Sequence, residues 1–276
     1  MTILKTRNNQ TSNLQKLTNE ALETLCHSLE NGKSQELVNF LNVMAKFPKY
    51  SLRNIFLISA QNPRASLVMG YKKWLEIGRQ VKKGEKALRI YAPIKINDSE
   101  NKKVSTDSQF KRDSQESLIF RPVPVFDISQ TEGEDIAKFA DVTGDPGIYL
   151  KRLKSFASDL DIEVSYTDKM DADGVSICGA ILLNIELSKA SEFHVLLHEL
   201  AHEIIHLKEV RKSLSKKQKE TEAEAVAYVV SQSIGLETGN ASSDYIQLYN
   251  GDRETLKESL ATIQETASKI IKAILD

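Results

Sequence analysis

Residues 193–207 read FHVLLHELAHEIIHL, an apolar segment in which a histidine recurs at every fourth position. Apolar side chains lie nearly all round a helix of this sequence, so the helix is predicted to be mostly buried. Buried imidazoles and carboxylates are costly unless they are hydrogen-bonded or bound to a metal. The segment therefore predicts a buried helix with a polar stripe, and the rest of the chain has to supply partners for that stripe.

Within this segment His198, Glu199 and His202 form the pattern HExxH. The i, i+4 spacing puts both imidazoles on one helix face, about 6 Å apart, and the Glu beside the first His reaches a metal-bound water. Neutral imidazoles bind Zn²⁺ at ~2.0–2.1 Å, and zinc lowers the pKa of its bound water toward ~7. We predict that His198 and His202 are metal ligands and that Glu199 is the catalytic general base; a solvated helix face is the alternative interpretation.

A second helical segment, residues 220–228, reads ETEAEAVAY and supplies further carboxylates. A catalytic zinc site has three protein ligands and an open fourth position. Glu220 and Glu224 share one helix face while Glu222 points elsewhere, so Glu220 is the predicted third metal ligand. Glu224 is predicted to accept a hydrogen bond from the second nitrogen of a ligand histidine and to fix its tautomer. The alternatives are Mn²⁺ or Co²⁺ in place of zinc, and an ordinary acidic surface helix.

The combined pattern, HExxH followed by E-x-x-A-[acid]-x-x-A, resembles the gluzincin-type metallopeptidases, in which Glu is the third ligand. His194 and His206 extend the histidine stripe and are predicted to flank the site; the alternatives are that either contacts a ligand side chain from behind or is itself a metal ligand. The resemblance also implies a transition-state stabiliser, often Tyr or His. Tyr228 and Tyr245 are the candidates in the sequence, and the choice between them stays open.

Charge is distributed unevenly along the 276 residues, although the net charge is −1. From Lys46 to Phe120 there are 16 Lys and Arg against 7 Asp and Glu, whereas from Arg121 onward there are 17 against 27. Opposite signs indicate two domains with different partners. The apolar stretches are too short for a membrane span, no leader is recognisable, and two cysteines give no disulfide framework. We therefore expect a cytoplasmic protein with no membrane partner.

Hydrophobic periodicity predicts an α+β fold. Helices are predicted at 14–29, 36–47, 50–58, 71–77, 148–160, from 191, at 218–234 and at 253–275, and strands at 67–69, 87–96, 118–126, 162–166 and 180–185. Prolines in the strand at 118–126 favour an edge position. Residues 97–117 are predicted to be a flexible insertion, and the polar residues 129–135 an inter-domain hinge. The predicted domains are therefore 1–130 and 131–276.

The basic half interleaves aromatic side chains with cations. A groove lined by Lys and Arg with aromatic platforms holds single-stranded nucleic acid without sequence preference, and such binding depends steeply on salt. The alternative interpretation places the aromatic side chains in the core and leaves the lysines as a solubilising face.

Three strings in this half, YSLRNIFLISAQNP, GYKKWLEIGRQVKKGEKALRIYAP and VFDISQTEG, closely resemble the N-terminal domain of ArdC-type antirestriction proteins. The resemblance implies a single-stranded-DNA-binding domain joined to a zincin-like metallopeptidase domain. Such proteins are carried by plasmids, integrative elements and phages, and they protect incoming DNA from host restriction. The predicted DNA-binding residues are Tyr50, Arg53, Asn54, Trp74, Arg79, Lys82, Lys83 and Lys86. Gly78 and Gly84 are predicted to form turns.

The sequence therefore predicts an N-terminal α+β domain that binds single-stranded DNA, followed by a zincin-like metallopeptidase domain with an HExxH helix. The predicted function is that of an antirestriction protein carrying a zinc-dependent metallopeptidase site, with a restriction-enzyme subunit or another protein as substrate. Two alternatives stay open. One is a DNA-coating protein whose zinc domain is catalytically silent, and the other is a peptidase that cleaves a regulatory protein such as a repressor.

Overall fold

The computed structural model describes residues 2–95, 118–134, 145–207, 214–236 and 252–276. Its α-helices are α1 (Thr2–Glu30), α2 (Gln35–Lys46), α3 (Leu52–Gln61), α4 (Tyr71–Glu76), α5 (Ile148–Asp159), α6 (Lys189–Ala201), α7 (Lys216–Ser233) and α8 (Arg253–Leu275). Its strands are β1 (Val68–Met69), β2 (Arg79–Val81), β3 (Leu88–Lys95), β4 (Leu118–Asp127), β5 (Thr131–Gly133), β6 (Glu163–Thr167), β7 (Gly174–Ser176) and β8 (Ala180–Asn184). The predicted mixture of helix and sheet is confirmed. The predicted insertion at 97–117 and the candidate Tyr245 lie outside the described residues.

The first sheet has the antiparallel strand order β1-β4-β3. β3 and β4 pair from Leu88↔Val125 to Lys95↔Leu118, while β1 reaches only the last two residues of β4. The predicted edge position of the strand at 118–126 is therefore wrong, because β4 is the central strand. Its two prolines, Pro122 and Pro124, lie where β4 pairs with β3 alone, so β1 needs no N–H from them.

The predicted hinge at 129–135 is described as far as residue 134, and this part has regular structure. Asp127 caps a 3₁₀ turn (Ile128–Gln130), and β5 then pairs antiparallel with β2. Arg79 strengthens this pairing, because its guanidinium donates to the Thr131 side chain at 2.9 Å and to the Thr131 carbonyl at 3.2 Å. Polarity here serves backbone pairing, and residues up to Gly133 belong with the N-terminal strands, while the inter-domain hinge stays a prediction. Gly78 and Gly84 have positive φ in turns, as predicted.

The hydrophobic core is continuous across the predicted domain boundary. Buried side chains of α2, such as Leu37 and Leu41, belong to the same cluster as Val226 on α7 and Ile263 on α8. α8 packs against α1, α3, α5 and α7, and α2 packs against α7. The two halves thus share one core, and the division at residue 130 stays a prediction. Within the described ranges no helix is long and apolar enough to cross a membrane.

The second sheet positions the HExxH segment. Its strand order is β6-β8-β7, with β6 parallel and β7 antiparallel to β8. Gly174 brings β7 very close to α6, because a β-carbon at that position would lie 2.5 Å from Val195 Cγ1 and 3.1 Å from Glu199 Cγ. β7, which hydrophobic periodicity did not predict, therefore runs directly beside the HExxH residues.

Candidate metal centre

α6 is the buried helix that the apolar pattern predicts. The Ser188 side chain caps its N-terminus by accepting from Ser191 N at 3.2 Å. Phe193, Leu196 and Leu200 have no exposed surface, so the apolar residues anchor the helix in the core. After Ala201 the helix changes to a π-helical turn, His202–His206. Such turns inside α-helices are frequently found at functional sites.

Three predicted ligands converge at this end of α6. His198 Nε2 lies 3.2 Å from His202 Nε2 and 3.3 Å from Glu220 Oε2, and His202 Nε2 lies 3.5 Å from the same oxygen. Bonds of ~2.0–2.1 Å at tetrahedral angles around one ion would space the ligand atoms by about 3.3 Å. The three atoms therefore fit a single divalent metal ion. The side chain of Glu220 is 48% exposed, which leaves this side of the centre open to solvent.

Glu224 lies behind the convergent atoms and contacts the other nitrogen of His198. Its Oε2 is 3.3 Å from His198 Nδ1 and 3.2 Å from His194 Nε2. Burial alone would raise the pKa of Glu224, but the hydrogen bonds from these two histidines outweigh it and lower the pKa to about 2. An ionised carboxylate can only accept hydrogen bonds. Glu224 therefore keeps the proton of His198 on Nδ1 and leaves Nε2 unprotonated, facing the centre.

The two HExxH histidines have opposite electrostatic environments. Burial lowers the pKa of His198, but the hydrogen bond and charge of Glu224 outweigh it and raise the pKa overall. Burial, followed by the charges of His198 and His206, lowers the pKa of His202 to about 4. His202 is therefore neutral at neutral pH, the form in which an imidazole binds a metal.

Glu199 lies outside the group of three convergent ligand atoms. Burial raises its pKa, while the charge of His198 and hydrogen bonds from Ser176 on β7 oppose that rise. A carboxylate whose pKa lies above its usual value is a stronger base toward water. Glu220 therefore faces the imidazole nitrogens, whereas Glu199 is held by the neighbouring strand.

One predicted residue lies away from this centre. Tyr228 is buried, and its hydroxyl donates to Asn42 Oδ1 on α2 at 2.8 Å. This corrects the suggestion that Tyr228 stabilises a transition state, because its polar atom is bound on the side of α7 that faces α2. Tyr245 lies outside the described residues.

Sequence reasoning missed the partners on the far side of His202. Glu222, on the face of α7 opposite Glu220, contacts His206 and the Ser259 side chain on α8. Glu203 accepts a hydrogen bond from Gly179 N at 2.8 Å, which ties the π-helical turn to the second sheet. The contact between Glu222 and His206 could have been anticipated from the histidine at every fourth position. A buried His206 requires a hydrogen-bond partner.

Four of the predicted DNA-binding residues, Arg53, Lys82, Lys83 and Lys86, are exposed in the N-terminal half. The guanidinium carbon of Arg53 lies 3.7 Å from the centre of the Tyr91 ring, so this cation is stacked on an aromatic face. Lys82 Nζ donates to Ser129 O at 3.0 Å, and its charged group stays at the surface. The three lysines lie on the loop between β2 and β3.

The other four predicted DNA-binding residues hold the fold. Asn54 is buried and bridges α3 to Tyr91, donating to its carbonyl at 2.8 Å and accepting from its N–H at 2.9 Å. Trp74 has no exposed surface and donates to Phe126 O at 3.0 Å. Tyr50 donates to Val68 O, and Arg79 binds β5. This corrects the expectation for Asn54 and Trp74, because such side chains offer no surface to a nucleic acid.

Fold and site together define a class of protein in which a basic α+β half shares one core with a half that carries an HExxH candidate metal centre. Residues 12–126 match the family model of the N-terminal domain of the anti-restriction factor ArdC. Residues 12–126 therefore carry an ArdC N-terminal domain, and the resemblance noted in the sequence is confirmed for this part of the chain.

Two crystal structures of the antirestriction ArdC protein from the R388 plasmid have the same fold. The metal-free structure superposes with a TM-score of 0.52 and the Mn(II)-bound structure with a TM-score of 0.54, each at 16% sequence identity. The alignments cover 94% of this chain and 97% and 98% of the two R388 chains. At this identity the likeness establishes the fold.

A longer relative is known from Bacillus anthracis. This uncharacterized protein is 27% identical over 286 residues, which cover 87% of the present chain and 48% of the relative. The chain thus spans about half the length of the curated relative that it matches.

Proposed function

We propose that this protein is an antirestriction protein whose C-terminal half carries a divalent-metal hydrolytic site and whose N-terminal half binds single-stranded DNA. The observation that carries the hydrolytic part is the set of three ligand atoms 3.2–3.5 Å apart, one from each of His198, His202 and Glu220. The partly buried carboxylate of Glu199 beside them supports hydrolysis over a purely structural metal site.

Two imidazoles and one carboxylate suit zinc, and they also accept Mn²⁺ or Co²⁺. The R388 ArdC protein holds Mn(II) in one crystal structure. When bound, the ion would polarise a carbonyl oxygen and lower the pKa of a water molecule. We propose zinc as the native ion and His198, His202 and Glu220 as its ligands, with Glu224 orienting His198.

Residues of the chain then have separate roles in hydrolysis. Glu199 takes a proton from the attacking water and returns it to the leaving amine. Ser176 on β7 restrains that carboxylate. β7 is an outer strand of its sheet among the described residues, so its unpaired edge offers main-chain hydrogen bonds to an extended peptide. This edge, next to the proposed base, supports a peptide as the substrate class.

DNA binding is proposed for the exposed cations of the N-terminal half. Lys82, Lys83 and Lys86 are closely spaced on the loop between β2 and β3, and Arg53 is exposed on α3. Cations that neutralise phosphates bind nucleic acid with little sequence preference and with strong salt dependence. The exposed residues among the predicted DNA-binding residues therefore support contacts with the phosphate backbone of the DNA.

The metal centre is tested by calorimetric titration of the purified chain with Zn²⁺ and Mn²⁺, followed by metal analysis. The wild type is expected to bind one ion, and Glu220→Ala to bind at least about ten-fold more weakly. Glu265→Gln, which changes an exposed acid on α8, is the matched control and should bind as the wild type does. Equal affinity of Glu220→Ala and wild type would remove Glu220 from the ligand set.

Glu199→Gln separates catalysis from masking of DNA. This variant is expected to retain the metal and to lose peptide hydrolysis, because an amide is not a base. Protection of transferred DNA from restriction is then measured in cells carrying the variant. Loss of protection supports the peptidase, whereas full protection by a hydrolytically dead variant would favour the DNA-coating alternative.

A further inference from the structure

A buried chain of polar side chains lies behind the candidate ligand His202. His202 Nδ1 is 2.8 Å from His206 Nδ1, and His206 Nε2 is 3.2 Å from Glu222 Oε2. The Ser259 hydroxyl on α8 donates to Glu222 Oε1 at 2.5 Å. Glu222 has no exposed surface, and His206 and Ser259 are 7% and 2% exposed. A carboxylate in such a place requires donors on its oxygens, and these two side chains supply them.

The directions of the hydrogen bonds are fixed for an ionised Glu222 and a neutral His206. A carboxylate accepting from the Ser259 hydroxyl also accepts from His206, so His206 carries a proton on Nε2. In a neutral imidazole the other nitrogen then accepts, so His206 Nδ1 accepts from His202 Nδ1–H. His202 is left with its lone pair on Nε2, the atom that faces His198 and Glu220.

The contact between the two histidines lies within the π-helical turn. Its extra residue per turn shifts the histidines relative to their spacing on an α-helix. The ring centroids of His202 and His206 are 4.9 Å apart with the planes at 52°, so the two Nδ1 atoms meet in a tilted arrangement. The turn is thus the backbone element that connects the ligand to the buried carboxylate.

We propose that Glu222 is a positioning residue for the metal ligand His202, acting through His206. The inference rests on the proposed metal site and deepens it. Glu224 orients His198 directly, whereas Glu222 orients His202 through one intervening imidazole. Two acids of α7, two residues apart and on different faces, therefore set the tautomers of the two HExxH histidines. Ser259 connects Glu222 to α8.

The first test is the tautomer of each ring in the metal-free wild-type chain. Histidine labelled with ¹⁵N gives distinct shifts for protonated and unprotonated ring nitrogens, and single His variants assign them. The expected result is a proton on Nδ1 of His202 and on Nε2 of His206. A proton on Nε2 of His202, with Nδ1 unprotonated, would overturn the proposal whatever the metal affinity. The contacts from Glu222 through His206 to His202 require the opposite tautomer.

The second test is the Zn²⁺ affinity of Glu222→Gln and His206→Phe. Removing a partner that orients a ligand histidine typically weakens metal binding by about 10–100-fold. Each variant is therefore expected to bind Zn²⁺ at least about ten-fold more weakly and to shift the ring-nitrogen signals of His202. Unchanged affinity in folded variants would overturn the positioning role.

Ser231→Ala is the matched control for a change inside α7. Ser231 is fully buried, and its hydroxyl has no hydrogen-bond partner among the described residues. This variant should keep the wild-type affinity and the wild-type histidine signals. If Ser231→Ala lowered the affinity as much as Glu222→Gln does, the positioning role of Glu222 would be overturned. The site would then respond to any change inside α7. Failure of the wild type to bind Zn²⁺ would instead overturn the proposed function, and the tautomer signals report on the positioning role independently.

Discussion

Gly174 on β7 lies in direct contact with Glu199 on α6, since a β-carbon at position 174 would come within 3.1 Å of Glu199 Cγ. The contact joins an outer strand of the second sheet to the proposed base, and a β-carbon at position 174 would also lie 2.5 Å from Val195 Cγ1, so a side chain there forces a shift. Neighbouring Ser176 hydrogen-bonds to the same carboxylate. The separation of strand and helix at this point therefore sets the position of Glu199.

Gly174→Ala is expected to push β7 away from α6. Overpacking of a well-packed interior costs about 1–3 kcal/mol, and displacement of Glu199 should lower kcat for peptide hydrolysis while Zn²⁺ affinity is kept. Urea unfolding and steady-state kinetics measure the two effects. Gly70→Ala is the control, because no atom lies within 4 Å of its added β-carbon. Wild-type kcat in the Gly174 variant would show that the contact does not position the base.

Asp127 is expected to make the stability of the fold depend on acid pH. Burial alone would raise the pKa of Asp127, but hydrogen bonds from the Ser129 side chain and from the backbone of Ser66, Ser129 and Leu67 outweigh it and lower the pKa. Because the folded pKa is depressed, the stabilisation is present above the unfolded pKa of ~3.9 and is lost as pH falls through the folded value.

Asp127→Asn should therefore lower the free energy of unfolding at pH 7, by about 1–3 kcal/mol for hydrogen bonds to a charged, buried acceptor. The difference should shrink as the pH falls below the unfolded pKa and through the lower folded pKa, where the carboxylate becomes protonated. Urea denaturation of both proteins across that range measures the difference. A difference that is constant with pH would show that the ionised carboxylate is not the stabilising form.

Tyr228→Phe is expected to leave peptide hydrolysis nearly unchanged. The Tyr228 hydroxyl is bound to Asn42 on α2, away from the histidine nitrogens. Removing this buried hydrogen bond should cost about 1 kcal/mol of stability, measured by thermal or urea unfolding. A fall in kcat of about a hundred-fold, the size seen when a donor to a transition-state oxyanion is removed, would contradict the placement.

Replacing Lys82, Lys83 and Lys86 by Gln is expected to weaken single-stranded-DNA binding at all sequences tested. Removal of each phosphate-binding cation should flatten the slope of log K against log salt by about 0.7. Fluorescence anisotropy with a labelled oligonucleotide between 50 and 300 mM salt, roughly the range in which counterion release dominates, gives the slope. The control replaces Lys216, Lys217 and Lys272, which are exposed on α7 and α8. Equal slopes for both triple variants would place the DNA elsewhere.

The long elements of the fold could be predicted because their apolar period is repeated. The helix at 253–275 and the apolar face of α6 follow from spacing alone. β2, β5 and β7 have three residues each, too few for an alternating pattern to emerge, so the sequence shows them only as polar or glycine-rich stretches. The predicted hinge was such a stretch, and its pairing with β2 depends on contacts distant in sequence.

The candidate ligands could be predicted because i, i+4 spacing carries three-dimensional information. His198, His202 and Glu220 lie together as the spacing indicates. The contacts of Glu222 could not be predicted, because Ser259 lies 37 residues further along the chain. The role of Trp74 was equally ambiguous in the sequence, because an aromatic residue in a basic segment can belong to the core or can stack on a nucleic-acid base. Its burial and its hydrogen bond to Phe126 O place it in the core.

The core shared by α2, α7 and α8 has a thermodynamic consequence. Elements that pack into one cluster unfold together, so the two halves are expected to melt in a single cooperative transition. A ligand that binds the folded state stabilises the whole cooperative unit, by about 2.7 kcal/mol at a concentration one hundred times its Kd. Zinc bound at the histidines and DNA bound at the lysines would therefore raise the same melting temperature, although neither ligand touches the other half.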